Sequence, residues 1–225
     1  ANIVGAVSQN YTAPIVSVTT WYRRLVSSGS CSNFTSSVAK INPPITTNQI
    51  SNGQTLCSGT SITALSTSPA GGSTTGSYSY LWYSSTNNSS YTSTGTTTAS
   101  YSPPSTVGTN YYKVTVTRNG CTNTSNYAVI TVNALPSISV SPASATVCSG
   151  TSQSFTASGA NSYTWSPATD LNTTSGAQVV CTPTATRTYT ITGTDANGCQ
   201  RTFNVLVDQP TAPLTVTIDS SYSIA

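Results

Sequence analysis

Short runs in which apolar residues alternate with polar ones recur along the chain, separated by Ser, Thr, Gly, Pro and Asn. A period of two is the mark of a half-buried strand. Ser61 to Thr67 alternates, with Ile62, Ala64 and Ser66 on one face. Tyr80 to Tyr83 carries Trp82. Further on, Tyr112, Val114 and Val116 share one face, and Lys113 and Thr115 the other. Arg118-Asn119-Gly120 closes a hairpin, because Asn-Gly adopts positive φ at little cost, and Tyr127 to Val132 forms the returning strand. A second series follows: Ser152 to Ala157, Tyr163 to Trp165, Tyr189 to Thr194, the turn Asp195-Ala196-Asn197-Gly198, and Thr202 to Val207. Asn133-Ala134-Leu135-Pro136 and Asp208-Gln209-Pro210 read as short linkers. Strong helix formers are scarce, and no apolar run reaches the length of a membrane helix.

The pattern repeats. Gly5 to Asn33 aligns without gaps on Gly95 to Asn123, about 90 residues later. Tyr11 falls on Tyr101, Trp21 on Tyr111, Tyr22 on Tyr112 and Cys31 on Cys121. QTLCSGTS and ATVCSGTS place Cys57 on Cys148, and SYLW and SYTW place Trp82 on Trp165. An N-G-C string ends at Cys121 and again at Cys199. The unit spans roughly 75 to 90 residues, the size of a small β-sandwich of about seven strands. We expect an all-β chain of tandem immunoglobulin-like sandwiches in a rod. Residues 1–43 would be the C-terminal half of one repeat, 44–133 and 134–208 complete repeats, and 209–225 the first strand of a following one. The opening ANIVGAVSQN lacks the basic and long apolar regions of a signal peptide, and the chain reads as a piece of something longer.

Composition narrows the chemistry. Charged residues make up 5% of the 225 positions, with 7 Lys+Arg, 4 Asp+Glu and no His. Without His there is no Ser-His-Asp triad, Cys-His pair or His-ligated metal. The acids are Asp170, Asp195, Asp208 and Asp219, too scattered for paired-carboxylate glycosidase chemistry. A net charge of +3 is too thin for a nucleic-acid groove. Hydrophobic content of 36% with 13 Tyr and 3 Trp argues against disorder. Six cysteines in a polar, Thr-rich chain suggest an oxidising, extracellular setting.

Each remaining candidate has a plain and a functional reading. Trp82 and Trp165 could be sugar-stacking platforms, but a Trp at one repeated strand position fits a sandwich core better, together with Tyr112 and Tyr189. Trp21 is the weaker candidate for the core and the candidate exposed aromatic. Asp195-Ala-Asn-Gly could offer oxygen to Ca²⁺, yet a calcium site needs six to eight oxygens, and a turn accounts for these residues. Lys40 and Lys113 raise the idea of Lys-Asn isopeptide cross-links, without a complete residue set for either. Catalytic, cofactor and metal sites are all expected to be absent.

The cysteines pair in one of two ways. Pairing within units gives Cys57–Cys121 and Cys148–Cys199. In a sandwich, however, the turn entering the second strand lies a strand length, about 20 Å, from the last hairpin, and a disulfide needs Cα atoms within about 7 Å. The alternative joins Cys57 to Cys199 across a junction and Cys148 to Cys181, with Cys31 and Cys121 pairing outside the chain. Connectivity stays open at this level.

C-S-G-T before an alternating strand, S-Y-x-W, a Tyr-rich strand and D-A-N-G-C together resemble the immunoglobulin-like and PKD-like repeats of giant Bacteroidetes surface proteins. YLWYSSTNNSSYTSTGTTTASYSPPSTVGTNYYKVTVTRNGC and TTWYRRLVSSGSC carry the likeness, and DQPTAPLTVTIDSSYSIA resembles the repeat type of SprB-like gliding-motility adhesins. The resemblance covers essentially the whole chain. It implies a filament on the bacterial outer surface, exported by type IX secretion, serving adhesion and gliding. Within it these repeats act as a non-enzymatic stalk without cofactors. Its partners would be neighbouring repeats of the same polypeptide, with surface polysaccharide or substratum beyond, and neither nucleic acid nor inserted membrane. A carbohydrate-binding module of a secreted enzyme and a self-assembling pilus or sheath subunit are the alternatives.

Overall fold

The computed structural model describes residues 10–28, 31–51 and 53–210. It divides into two compact units, Ala1–Val132 and Asn133–Ala225. Every regular element among the described residues is a strand.

Among the described residues, the second unit has seven strands in two sheets. Ser139–Ser141, Gln153–Ser158 and Gln178–Cys181 form one sheet in that order. Ser144–Thr146, Gln200–Asp208, Arg187–Thr194 and Ser162–Ser166 form the other, its first strand parallel to its neighbour. In immunoglobulin-like lettering these are A-B-E facing A′-G-F-C. Alternation sets the core: Phe155 and Ala157 from B meet Trp165 from C, Tyr189 and Ile191 from F, and Val205 and Val207 from G. Each of the Phe, Ile and Val side chains taken out of water contributes about 1.5–3 kcal/mol.

Residues 46–132 repeat that order. Ile50–Ser51, Leu65–Thr67 and Ser100–Tyr101 serve as A, B and E. Gln54–Cys57, Ala128–Asn133, Gly108–Arg118 and Ser79–Ser85 serve as A′, G, F and C, with Thr92–Ser93 added beyond C. Tyr112, Val114 and Val116 point inward against Ala128, Ile130 and Val132. Asn119 and Gly120 form the F–G turn with φ of 47° and 82°, the two positive values that a two-residue hairpin requires. Cys121–Thr124 pairs with the outer end of F before the chain resumes as Ala128–Asn133.

The strand expected over 61–67 begins only at Leu65, and its phase is reversed: Leu65 and Thr67 are buried, while Ser66 is exposed. The cause is Gln54. Its carboxamide accepts from Thr63 N–H (2.9 Å) and donates to Thr63 C=O (2.7 Å). A side chain thereby satisfies both backbone groups that a neighbouring strand would have paired.

Residues 10–41 form two small antiparallel pairs, Thr20–Tyr22 with Ala39–Ile41 and Leu25–Ser28 with Cys31–Thr35. Residues 1–9 and 211–225, including most of the expected strand over 209–225, lie outside the described residues.

Candidate functional site

Trp82 and Trp165 hold the same place in the two sandwiches. They are 0% and 3% exposed. Each indole N–H donates to a carbonyl of the segment after strand C: Trp82 to Thr98 (2.9 Å) and Trp165 to Gly176 (3.0 Å). Trp82 stacks on Tyr101 at 5.6 Å, and Trp165 meets Phe155 at 6.4 Å. Neither indole is available to a sugar. Tyr112 and Tyr189 are buried beside them. Burial pushes the Tyr112 hydroxyl up to about 12, helped by the neighbouring Tyr101. Burial likewise raises Tyr189, and its bond with the Cys181 thiol adds to this. Trp21 is 62% exposed on its short strand, opposite Lys40, whose ammonium lies 5.9 Å from the ring.

Asp195 is committed to its turn. Its Oδ1 accepts from Asn197 and Cys199 N–H, both at 2.8 Å. Lys113 lies over the Tyr91 ring at 4.2 Å. Asp170, with φ of 67°, accepts from Thr184 N–H and Oγ1 and holds Arg187 at 3.9 Å, which fastens the segment between strands C and E.

Cys57 and Cys199 are disulfide-bonded, whereas Cys121, Cys148 and Cys181 carry free thiols. Pairing of Cys57 with Cys121 and of Cys148 with Cys199 is therefore not formed. In the second unit the register explains it. Thr146 lies beside Asp208, so Cys148 sits past one end of the nine-residue G strand and Cys199 just before the other. At about 3.3 Å per residue they are about 30 Å apart. Cys148–Cys181 is not formed either. Cys148 is exposed, while Cys181 points into the core and donates to Tyr189 Oη at 3.4 Å. Cys121 is free and half-buried, its sulfur 3.8 Å from Asn42 C=O. The Cys31 side chain lies outside the described set.

Inside the first unit, residues 10–43 join the sandwich through a short polar neck that sequence reasoning missed. Asn42 donates through Nδ2 to Asn119 C=O (2.7 Å) and accepts from Thr19 Oγ1 (3.1 Å). Thr19 Oγ1 also bonds Ser73 Oγ (2.9 Å). Pro43 and Pro44 follow, and Pro44 C=O accepts from Gly72 N–H (2.8 Å). Asn119 in turn donates to Thr75 C=O (2.6 Å), and Arg118 donates to Gly76 C=O while lying over Tyr78. The F–G hairpin tip thus has two roles, closing the sheet and receiving the preceding segment. The turn-type string Asn42-Pro43-Pro44 marks a break in the chain but does not name its partners.

Two sheets in A-B-E and A′-G-F-C order around one core make each complete sandwich immunoglobulin-like. By sequence, the chain belongs to the family described as Domain of unknown function (DUF8696), whose model matches residues 1–43 and 46–134. No curated protein matches. Among solved structures it is similar to the N-terminal four Ig domains of Dscam1 isoform 6.9, with 12% identity, TM-score 0.36, and coverage of 75% of this chain and 47% of that one. The insect immune protein hemolin gives 13%, 0.37, 72% and 46% for the same measures. The outer capsid protein Hoc of bacteriophage RB49 gives 18%, 0.34, 72% and 59%. The chain spans about half the length of the solved Dscam1 and hemolin chains it matches.

Proposed function

We propose that this chain is a stalk segment of a secreted cell-surface adhesin filament of the SprB-like gliding-motility kind, located on the bacterial outer surface and exported by the type IX route. It has no catalytic role, and its partners are neighbouring repeats of the same polypeptide. The observation that carries the reading is the neck. Successive sandwich elements are joined by Asn42-Pro43-Pro44, with fixed proline torsions, and Asn42 is bonded to the hairpin tip at Asn119 and, through Thr19, to Ser73. A joint of this kind restricts bending, which a stalk needs and an independent binding module does not. The disulfide-bonded state of Cys57 and Cys199 supports an extracellular setting. Burial of Trp82 and Trp165 counts against a carbohydrate-binding module, which needs a planar set of exposed rings.

Single-molecule pulling on the full chain, held at its two ends, tests the reading beside a glycan array. The expected result is sandwich unfolding as separate force peaks and no glycan retained. Saturable glycan binding that disappears in Trp21→Ala would replace the stalk with a carbohydrate-binding module.

A further inference from the structure

The outer face of the first sandwich carries a cluster of tyrosines that its core does not absorb. Side chains alternate along Gly108–Arg118, so Tyr111, Lys113 and Thr115 point away from the core that Tyr112, Val114 and Val116 fill. Tyr83 stands opposite Lys113 on strand C, and Val129 stands opposite Tyr111 on strand G. The Lys113 ammonium lies over the Tyr91 ring at 4.2 Å, and the rings of Tyr111 and Tyr127 meet edge to face at 5.7 Å. Burial raises the Tyr91 hydroxyl, and the neighbouring Tyr127 and Tyr111 add to this, which joins the three phenols into one group. Tyr127 is 46% exposed. Tyrosine is the residue type enriched at the centres of protein interfaces, and a contiguous exposed patch of this kind calls for a partner. No Asp or Glu precedes Asp170, so the first unit has no carboxylate side chain to offer Lys113.

The matching face of the second sandwich has the opposite character. Along strand G, Leu206 and Asp208 point outward while Val205 and Val207 are buried. Leu206 is 48% exposed between Ser144 and Thr188. Asp208 accepts from Thr186 Oγ1 at 2.8 Å. The outward positions beside them are Thr190, Thr192, Thr202 and Asn204, with no cation among them. Arg187 turns the other way, toward Asp170. Tyr111 and Lys113 are two residues apart on one strand, and so are Leu206 and Asp208, which makes each pair about 7 Å long. An apolar contact and an ion pair therefore fit one register.

We propose that the tyrosine face of the first sandwich receives the Leu206–Asp208 face of the second sandwich of another copy of this chain. Leu206 sits on Tyr111 and Tyr127, and Asp208 reaches Lys113. Charge selects this occupant: two tyrosine faces laid together would set Lys113 against its own copy, and like charges across an interface are costly. The contact runs sideways between copies, beyond the joining of repeats along one polypeptide. It rests on the two faces and not on the stalk reading, which glycan binding could overturn without touching it.

The test is sedimentation of the full chain over a concentration series, with carbodiimide coupling in a mixture of isotopically light and heavy chains. At low salt the average mass is expected to rise with concentration, and to return to that of one chain at about 1 M salt, where the Debye length is about 3 Å. Coupling should join Lys113 of a light chain to Asp208 of a heavy one. Lys113→Glu and Asp208→Asn should each weaken association about tenfold; the second keeps an acceptor for Thr186, which spares the fold. Exchanging the charges, Lys113→Asp with Asp208→Lys in one chain, should restore it. A chain that sediments as a monomer at every concentration would overturn the proposal. So would association that survives both single substitutions, or coupling confined to light–light and heavy–heavy products. A monomeric chain that binds polyglutamate through Lys113 would also overturn it, since the occupant would then be a foreign acidic polypeptide.

Discussion

Replacing Trp82 with Ala tests the account of the first sandwich most directly. The side chain is fully buried, stacked on Tyr101 at 5.6 Å, and its indole N–H is bonded to Thr98 C=O at 2.9 Å. Removal of a buried Trp costs about 3–5 kcal/mol through lost transfer energy and the cavity left behind. The orphaned Thr98 carbonyl adds about 1 kcal/mol if water does not reach it. We expect a loss of about 4 kcal/mol. With a urea m-value of about 2 kcal/mol/M, the midpoint falls by about 2 M. Trp82→Phe keeps a ring against Tyr101 but has no donor for Thr98, and should lose about 1–2 kcal/mol. Trp21→Ala is the control; at 62% exposure it should stay within about 0.5 kcal/mol. The assay is urea unfolding followed by near-UV circular dichroism and by exchange of the Val114 and Val116 amides, which report this core. If Trp82→Ala cost no more than Trp21→Ala, the burial argument would fail.

Three further outcomes are expected. Alkylation of the native protein should label Cys148 first, and Cys181, which is buried with its thiol raised by that burial, only on unfolding; Cys57 and Cys199 should react only after reduction, as peptide mass mapping would report. The Tyr112 contribution to stability should be constant below about pH 10, the ordinary tyrosine value, and be lost progressively above it. Tyr112 titrates near 12 in the folded chain and near 10 in the unfolded one, so the unfolded state releases its proton first; urea midpoints at pH 8 and 11 check this, and Tyr112→Phe should flatten the slope. Gly159→Ala should destabilise the second sandwich by more than about 1 kcal/mol in a thermal melt, because its φ is +94° and a Cβ there would sit on the Ser137 carbonyl.

Much of the architecture could be read from the chain because it rests on local rules. Alternation over Tyr112–Val116 names an inward face wherever the strand ends up. Asn119-Gly120 names a tight hairpin because the two residues tolerate positive φ. The same locality explains the failure at 61–67. The alternation at Ile62 and Ala64 is genuine in sequence, but Gln54 captures Thr63, and the ladder starts two residues later in the opposite phase. The neck was illegible for a related reason. Asn42 finds Asn119 across 77 positions, and no pattern in either segment announces the other.

The sequence by itself determined an all-β, immunoglobulin-like chain with its turns and repeat spacing. These follow from side-chain period and backbone torsion, which neighbouring residues set. Only the tertiary structure decided the states of the cysteines, the exposure of Trp21 and the joint at Asn42. Each depends on which strand end meets which, and on the direction in which a strand presents its side chains once paired. Cys148 and Cys199 show the reason: they flank adjacent strands, yet a parallel register sets them about 30 Å apart.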